Sequence, residues 1–152
     1  MNEFYLVFNY IKESLEQTGL VNTITHGVVN DIDLDKKNIF PLSHIAVTGS
    51  QIDNGLVYFN FTIWCLDIRN ISKEVSTDKF FKNDNEIDNL NTTFAILNKM
   101  LTKMKIQRNE YDIELQQATS PTPVQYEFTN ILDGWSVDIQ LSIPNNKVEV
   151  CN

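Results

Sequence analysis

Apolar side chains recur at helical spacing in two parts of the chain. Gly19 follows the first group, at a place where a residue that tolerates a positive φ would end a helix. The first group comprises Phe4, Val7, Phe8, Ile11 and Leu15. The second group, spaced alternately by three and four residues, comprises Ile87, Leu90, Phe94, Leu97, Leu101 and Met104. Each group predicts an amphipathic helix, and the second predicts an apolar seam that packs on a sheet.

The middle of the chain predicts strands around a tight turn. Leu20–Val29 contains several β-branched residues and indicates a first strand. His44–Thr48 and Leu56–Ile68 flank Asp53-Asn54-Gly55, whose residue types favour the positive φ of a hairpin turn. The longer strand is apolar at both odd and even positions, so we expect it to need cover on both faces.

Three segments with alternating apolar and polar residues close the chain. Their apolar members are Tyr111, Ile113 and Leu115, then Val124, Tyr126 and Phe128, then Trp135, Val137, Ile139, Leu141 and Ile143. A period of two predicts strands with one buried and one solvated face, and Pro144 predicts the end of the last one. The order of elements predicts one α+β domain over residues 1–152, with an antiparallel sheet on which an N-terminal helix and one amphipathic helix pack.

Three segments are candidates for contacts with other subunits. They are a long polar arm at about 69–84, the hairpin tip at 49–55 and a C-terminal tail at 145–152. A connection as long as the arm is uncommon in a compact domain and is usually functional or flexible. The residues that we expect to contact a partner are Asn54, Arg69, Lys73, Phe80, Phe81, Lys82, Val148 and Val150. The alternative for each segment is an ordinary solvent-exposed loop.

The charge balance argues against a protein that grips nucleic acid. The formal net charge is −8, with only twelve Lys and Arg residues, whereas phosphate-binding proteins cluster basic side chains on one face. An acidic surface that borders a DNA channel would instead repel the duplex and allow it to slide through. No stretch approaches the roughly 20 apolar residues that cross a bilayer. The N-terminus also lacks the positive region of a secretion signal, so we expect a product made in the cytoplasm without a membrane partner.

The chain carries no recognisable pattern of a catalytic, cofactor or metal site. His26 and His44 have no nucleophile motif beside them, and we expect His44 to be a partly buried hydrogen-bonding residue. Cys65 and Cys151 lack zinc-ligand spacing and are expected to be reduced. Asp31–Asp35 has aspartates at the spacing of the first ligands of a calcium loop, but the glycine that such a loop needs is missing. We therefore predict no enzyme activity, no cofactor and no bound metal.

A series of short sequence segments carries a more specific resemblance to known proteins. The segments are Ile39–Ile45, Phe59–Phe61, Leu66–Ile68, Ser72–Glu74, Asn83–Glu86, Gly134–Trp135 and Ile143–Asn145. In this order and spacing they resemble small neck or ring proteins of crAss-like and related Bacteroidetes phages. Over nearly the whole chain, the order of elements also resembles the tail-completion and tail-terminator proteins of tailed phages.

This resemblance implies a structural role in a virion. The subunits would form a closed ring of six or twelve copies, joined head to tail, at the junction of the phage head and tail. Their partners would be other copies of the chain and the neck, portal or tail proteins, and DNA would pass through the channel without specific binding. Two alternatives are a soluble ligand-binding or regulatory α+β domain, with a pocket between helix and sheet, and a small enzyme with an unfamiliar motif.

Overall fold

The structure, a computed structural model, describes residues 2–27, 40–69, 86–127 and 132–145. Along these ranges the chain forms two helices and six strands, so the predicted α+β class is confirmed. The helices are α1 (Glu3–Glu16) and α2 (Glu86–Ile106). The strands are β1 (Thr23–His26), β2 (Leu42–Ile52), β3 (Leu56–Ile68), β4 (Glu114–Ala118), β5 (Thr122–Glu127) and β6 (Leu132–Pro144).

The strands form one sheet in the order β1-β2-β3-β6-β4, and β5 also pairs with β6. The last strand in the sequence therefore lies in the interior of the sheet. β6 pairs with β3 over the whole length of both strands, from Leu56 opposite Pro144 to Ile68 opposite Leu132. On its other side β6 pairs with β4 near its end and with β5 near its beginning.

The prediction of a wholly antiparallel sheet is wrong at one edge. Thr23–His26 pairs with Leu42–Ile45 in the parallel direction, whereas all the other strand pairs are antiparallel within the described ranges. Parallel neighbours need a crossover connection of about a dozen residues or more, and fifteen residues, 27–41, separate these strands. The observed strand is also shorter than the predicted Leu20–Val29, whose last two residues lie outside the described part of the chain.

The expectation that β3 needs cover on both faces is confirmed. Phe61 and Ile63 belong to a cluster that includes side chains of both helices and of β6. Leu66 belongs to a second cluster, with Leu42 of β2 and Leu132 of β6. Because side chains of odd and even number point to opposite faces of a strand, the two clusters lie on opposite sides of the sheet.

The prediction of which face of α2 is buried is wrong: the buried face is rotated about the helix axis relative to the predicted apolar seam. Ile87 and Phe94 were assigned to the buried face, but 58% and 44% of their surfaces are exposed. The buried side chains of this helix are Asn89, Thr93, Ile96, Leu97, Met100 and Met104. Asn89 and Thr93 tolerate burial because they are hydrogen-bonded: Asn89 Nδ2 donates to the Ile68 carbonyl at 3.0 Å, and Thr93 Oγ1 donates to the Asn89 carbonyl at 2.6 Å.

The turn before β4 also departs from the predicted alternation. Tyr111 was assigned to a strand, but β4 begins at Glu114. Asn109 Oδ1 accepts hydrogen bonds from the backbone amides of Tyr111 and Ile113, and its Nδ2 donates to the Ile113 carbonyl. Asp112, within this turn, has a φ of 54°, a conformation that Asp adopts more readily than most residues. Local side-chain bonds thus replace strand pairing here.

Gly134 of β6 leaves no room for a side chain beside the backbone of β3, and we expect Gly134→Ala to destabilise the fold. An added Cβ would lie 1.9 Å from the carbonyl oxygen of Cys65, which is backbone and cannot rotate away. The substitution should lower the free energy of unfolding by about 1–3 kcal/mol, measured by urea denaturation. Gly55→Ala is the matched control, because its Cβ would meet no atom within 4 Å. Equal midpoints for the two variants would contradict this account of the contact.

Candidate functional site

Arg69, a predicted contact residue, forms a buried ion pair within the subunit. It follows the last residue of β3, and its Nε and Nη2 donate to the two carboxylate oxygens of Asp133 on β6, at 2.8 and 2.6 Å. The exposed fractions of the two side chains are 8% and 0%. A two-point bond of this kind fixes both position and direction. Arg69 therefore stabilises the subunit itself, where the sequence suggested a contact with a neighbour.

The same guanidinium also reaches the beginning of α2. Arg69 Nη2 lies 3.2 Å from Glu86 Oε2, and Asn89 of the first helical turn bonds to the Ile68 carbonyl. These contacts join the end of β3, the beginning of β6 and the first turn of α2. They also hold together the two ends of the predicted arm, whose residues 70–85 lie outside the described ranges.

Asp67 faces Asp133 across the β3–β6 pair. Burial raises the pKa of the Asp67 carboxyl, a backbone hydrogen bond from Ile68 acts in the opposite direction, and repulsion by Asp133 raises it further. A carboxyl whose pKa is raised on folding destabilises the fold when it is ionised. This cost is fully present above the folded-state pKa and disappears as the pH falls below the unfolded-state value.

We therefore expect Asp67→Asn to stabilise the protein at neutral pH. The amide keeps an oxygen that can accept the bond from the Ile68 amide, now 2.8 Å long, and it removes the charge opposite Asp133. The gain should shrink as the pH falls through the raised pKa of the Asp67 carboxyl, because the carboxyl of the parent chain then also becomes neutral. Thermal or urea denaturation at several pH values measures the difference. A gain that does not change with pH would contradict the electrostatic explanation.

The other predicted contact residues divide into one that is described and six that are not. Asn54 is exposed in the turn between β2 and β3, where it is accessible to a partner. The residues that lie outside the described ranges are Lys73, Phe80, Phe81, Lys82, Val148 and Val150. The structure therefore leaves these six as predictions.

His44 and Cys65 are buried and form hydrogen bonds within the subunit. His44 is fully buried; its Nε2 donates to the Gly27 carbonyl at 3.0 Å, and its Nδ1 lies 2.7 Å from Thr25 Oγ1. These bonds attach the end of β1 to β2, in agreement with the hydrogen-bonding role predicted for His44. Burial raises the pKa of the Cys65 thiol to about 12, although a hydrogen bond with Ser43 acts in the opposite direction. Cys65 is therefore a protonated thiol at neutral pH and a poor nucleophile.

An apolar groove lies between the beginning of α1 and the β1–β2 edge of the sheet. Its volume is about 730 Å³, and its lining residues are Phe4, Tyr5, Phe8, His26, Gly27, Ile45, Ala46, Val47, Thr48 and Trp64. Three of the large apolar side chains are substantially exposed: Phe4 at 38%, Tyr5 at 62% and Val47 at 55%. The sequence suggested a pocket between helix and sheet as an alternative, but it did not indicate these residues, because the pattern assigned Phe4 to the buried face of α1. The available signal was that Phe4 and Tyr5 are adjacent large apolar residues, which one helix face cannot both bury.

A second exposed apolar patch lies on α2. The ring of Phe94 contacts that of Trp135 edge to face, with 5.4 Å between centroids, and Trp135 Nε1 donates to the Leu90 carbonyl at 2.9 Å. Ile87 lies seven residues earlier on the same helix, two turns away, and is also exposed. This α2 patch consists of residues that the sequence pattern assigned to the core.

The described ranges contain no group of three His, Cys, Asp or Glu side chains arranged to hold a metal ion. Of the helices in these ranges, none is long and apolar enough to span a membrane. The calcium-loop-like segment 31–35 lies outside them. Compared with known proteins, the chain matches no family model and no curated protein.

Proposed function

We propose that the chain is a virion structural protein that forms a ring at the head–tail junction of a bacteriophage particle. The observation that carries this proposal is the apolar groove between α1 and the β1–β2 edge of the sheet. Contiguous exposed apolar surface of this kind marks a site of contact with another protein, a membrane or a ligand. The resemblance of the chain to phage neck and tail-completion proteins supplies the biological setting.

In this role the subunit would help to join the portal to the tail around the DNA channel. A head-to-tail contact uses two different surfaces of each copy and closes into a ring when the rotation between copies divides a full turn. The groove at the β1–β2 edge and the opposite β4–β5 edge are two such surfaces. The net charge of −8 suits a channel wall that repels the phosphate backbone and does not hold it.

Electron microscopy of purified virions tests the proposal most directly. The chain should account for ring-shaped density between the portal and the tail, in six or twelve copies. An affinity-tagged copy provides an independent label for that density. Complete virions whose neck and tail lack this chain would refute the assignment.

Replacement of the arm tests whether it takes part in assembly. Residues 71–81 can be exchanged for a short Gly/Ser linker because the Arg69–Glu86 contact already holds the ends of the segment together. The variant should unfold at the same denaturant concentration as the parent chain and should fail to form rings. A Gly/Ser replacement that leaves ring formation unchanged would reduce the arm to an ordinary loop.

A soluble ligand-binding or regulatory domain is the second candidate, and the groove is also the observation that favours it. Its volume of about 730 Å³ lies within the range of small-molecule sites, about 300–1,000 Å³. Size-exclusion chromatography with light scattering separates the two candidates. A concentration-dependent increase in mass supports assembly, whereas a strict monomer that is stabilised against heat by small apolar ligands supports the second function.

A further inference from the structure

Asn54 and Gly55 lie at the tip of the β2–β3 hairpin and form the one Asn-Gly pair of the sequence. The side-chain amide carbon of an asparagine is an electrophile that the backbone nitrogen of the next residue can attack. A side chain on that next residue hinders the approach, and glycine has none. The pair therefore contains both groups that spontaneous deamidation requires.

The turn leaves these two groups without hydrogen bonds. Asn54 is exposed, and neither its side-chain amide nor the backbone amide of Gly55 has a partner among the described residues. The backbone on either side is held: the Asp53 amide donates to the Leu56 carbonyl at 2.9 Å, and the Asn145 amide donates to the Gly55 carbonyl at 3.0 Å. An added Cβ at Gly55 would meet no atom within 4 Å. The Gly55 nitrogen can therefore approach the Asn54 side chain without the loss of a hydrogen bond of its own.

A related pair in the chain, Asp133-Gly134, has the opposite surroundings. Asp133 is fully buried, and both of its carboxylate oxygens accept bonds from Arg69. Gly134 lies within β6, opposite Leu66 of β3, where an added Cβ would collide with backbone atoms. A carboxyl group that is held in this way cannot turn its carbon toward the next backbone nitrogen. The structure therefore protects this pair and leaves the hairpin pair unprotected.

The other asparagines of the chain are less suited to the reaction. Each one that is followed by a further residue is followed by a residue with a side chain. Asn109 is also held in place, because its Oδ1 accepts bonds from the amides of Tyr111 and Ile113. We therefore expect Asn54 to react before any other asparagine.

We propose that Asn54 is a site of spontaneous deamidation in the folded protein, with the backbone amide of Gly55 as the nucleophile. The Gly55 nitrogen loses its proton to the solvent and bonds to the side-chain amide carbon of Asn54. The bond from that carbon to its NH2 group breaks, and the NH2 group leaves with a proton as ammonia. Water then adds to either carbonyl carbon of the resulting cyclic succinimide and opens the ring to aspartate or isoaspartate. The reaction consumes water, releases ammonia and oxidises or reduces no group.

Both products change the tip of the hairpin. Each adds a negative charge beside Asp53, and in isoaspartate the main chain passes through the side-chain methylene, which lengthens the turn. The longer turn should disturb the bonds that Asn145 donates to the carbonyls of Asp53 and Gly55. Asn54 is also a residue that we expect to contact a partner, so the reaction would alter that surface with time. The inference does not rest on the proposed function, because the reaction requires only this turn and water.

Storage of the purified full-length protein, followed by peptide mass spectrometry, tests the proposal. In mildly alkaline buffer the peptide that contains residues 53–56 should gain the mass difference between an OH and an NH2 group. The gain should be slower in mildly acidic buffer, since the Gly55 amide must lose its proton before it attacks. Gly55→Ala is the matched control: it should slow the reaction at least about tenfold and leave the denaturation midpoint unchanged, because its Cβ has space. Equal rates for the two chains, or a gain at Asn109 as fast as that at Asn54, would overturn the inference.

The same storage in guanidinium chloride separates reaction in the folded turn from reaction in the unfolded chain. Asn54 of the folded protein should react at a rate within about tenfold of that in the unfolded chain. Asp133 should form isoaspartate in the unfolded chain and not in the folded one. A much slower reaction of Asn54 in the folded protein would show that the hairpin protects it and would refute the proposal. Isoaspartate at residue 133 of the folded protein would refute the structural explanation for the difference between the two pairs.

Discussion

Replacement of Arg69 by methionine should lower the free energy of unfolding by about 3–5 kcal/mol, the range for a buried ion pair that loses one partner. The substitution leaves the fully buried Asp133 carboxylate without its two-point donor. It also leaves Asp133 opposite Asp67 and removes the Arg69 charge that pairs with Asp133. Urea denaturation followed by tryptophan fluorescence measures the change.

The double variant R69M/D133N is the control for this prediction. It removes both charges, so its loss of stability should be smaller than that of R69M alone, although the single substitution is contained within it. If the double variant loses as much free energy of unfolding as R69M and D133N lose together, the two side chains are not coupled in the way the geometry indicates. A negligible effect of R69M would show that the ion pair contributes little to the stability of the subunit.

Phe61→Ala should lower the free energy of unfolding by about 3–5 kcal/mol. The substitution loses the transfer free energy of a fully buried aromatic ring and leaves a cavity in its place. Phe61 has no exposed surface and lies in the cluster between the sheet and the two helices. Its ring has neighbours in Phe4 and Phe59, with centroids 6.4 and 6.5 Å away. The shift of the denaturation midpoint at constant slope measures this loss.

Phe94→Ala is the matched substitution on the exposed side of α2. The helical seam alone predicted a similar cost for it, but 44% of Phe94 is exposed. The Phe94→Ala variant should therefore lose only about 1 kcal/mol of the free energy of unfolding, mainly from the edge-to-face contact with Trp135. Equal losses for the two variants would show that Phe94 is buried after all, and a loss confined to the assembled form would identify the α2 patch as an interface.

The prediction of individual elements from the sequence succeeded where periodicity is local. Both helices, the β2–β3 hairpin and the two apolar faces of β3 were anticipated, since each depends on residues a few positions apart. The rotation of α2 about its axis was not anticipated, because the buried positions of Asn89 and Thr93 depend on hydrogen bonds that no hydropathy pattern reveals. Tyr111 was misassigned for a similar reason, as Asn109 forms a turn with backbone bonds.

The candidate site was less predictable than the fold. The groove combines α1 with the edge of β2, and these segments are separated by about forty residues, so their proximity depends on the sheet order. Polarity and length indicated the arm as a contact element, but they placed Arg69 within it. Only the position of Asp133, 64 residues later, shows that Arg69 belongs to the interior. For the groove, the adjacent Phe4 and Tyr5 were a signal that could have been used.

By itself, the sequence determined an acidic α+β chain whose alternating segments become strands and whose two periodic segments become helices. Each of these properties follows from short-range geometry, in which side chains two, three or four positions apart share a face. The tertiary structure alone decided that β6 lies inside the sheet, that β1 joins it in parallel, and that Arg69 pairs with Asp133. These depend on contacts between distant residues, which are selected by packing and charge neutralisation of the whole domain. The same long-range order brings the beginning of α1 beside β2 and so forms the apolar groove.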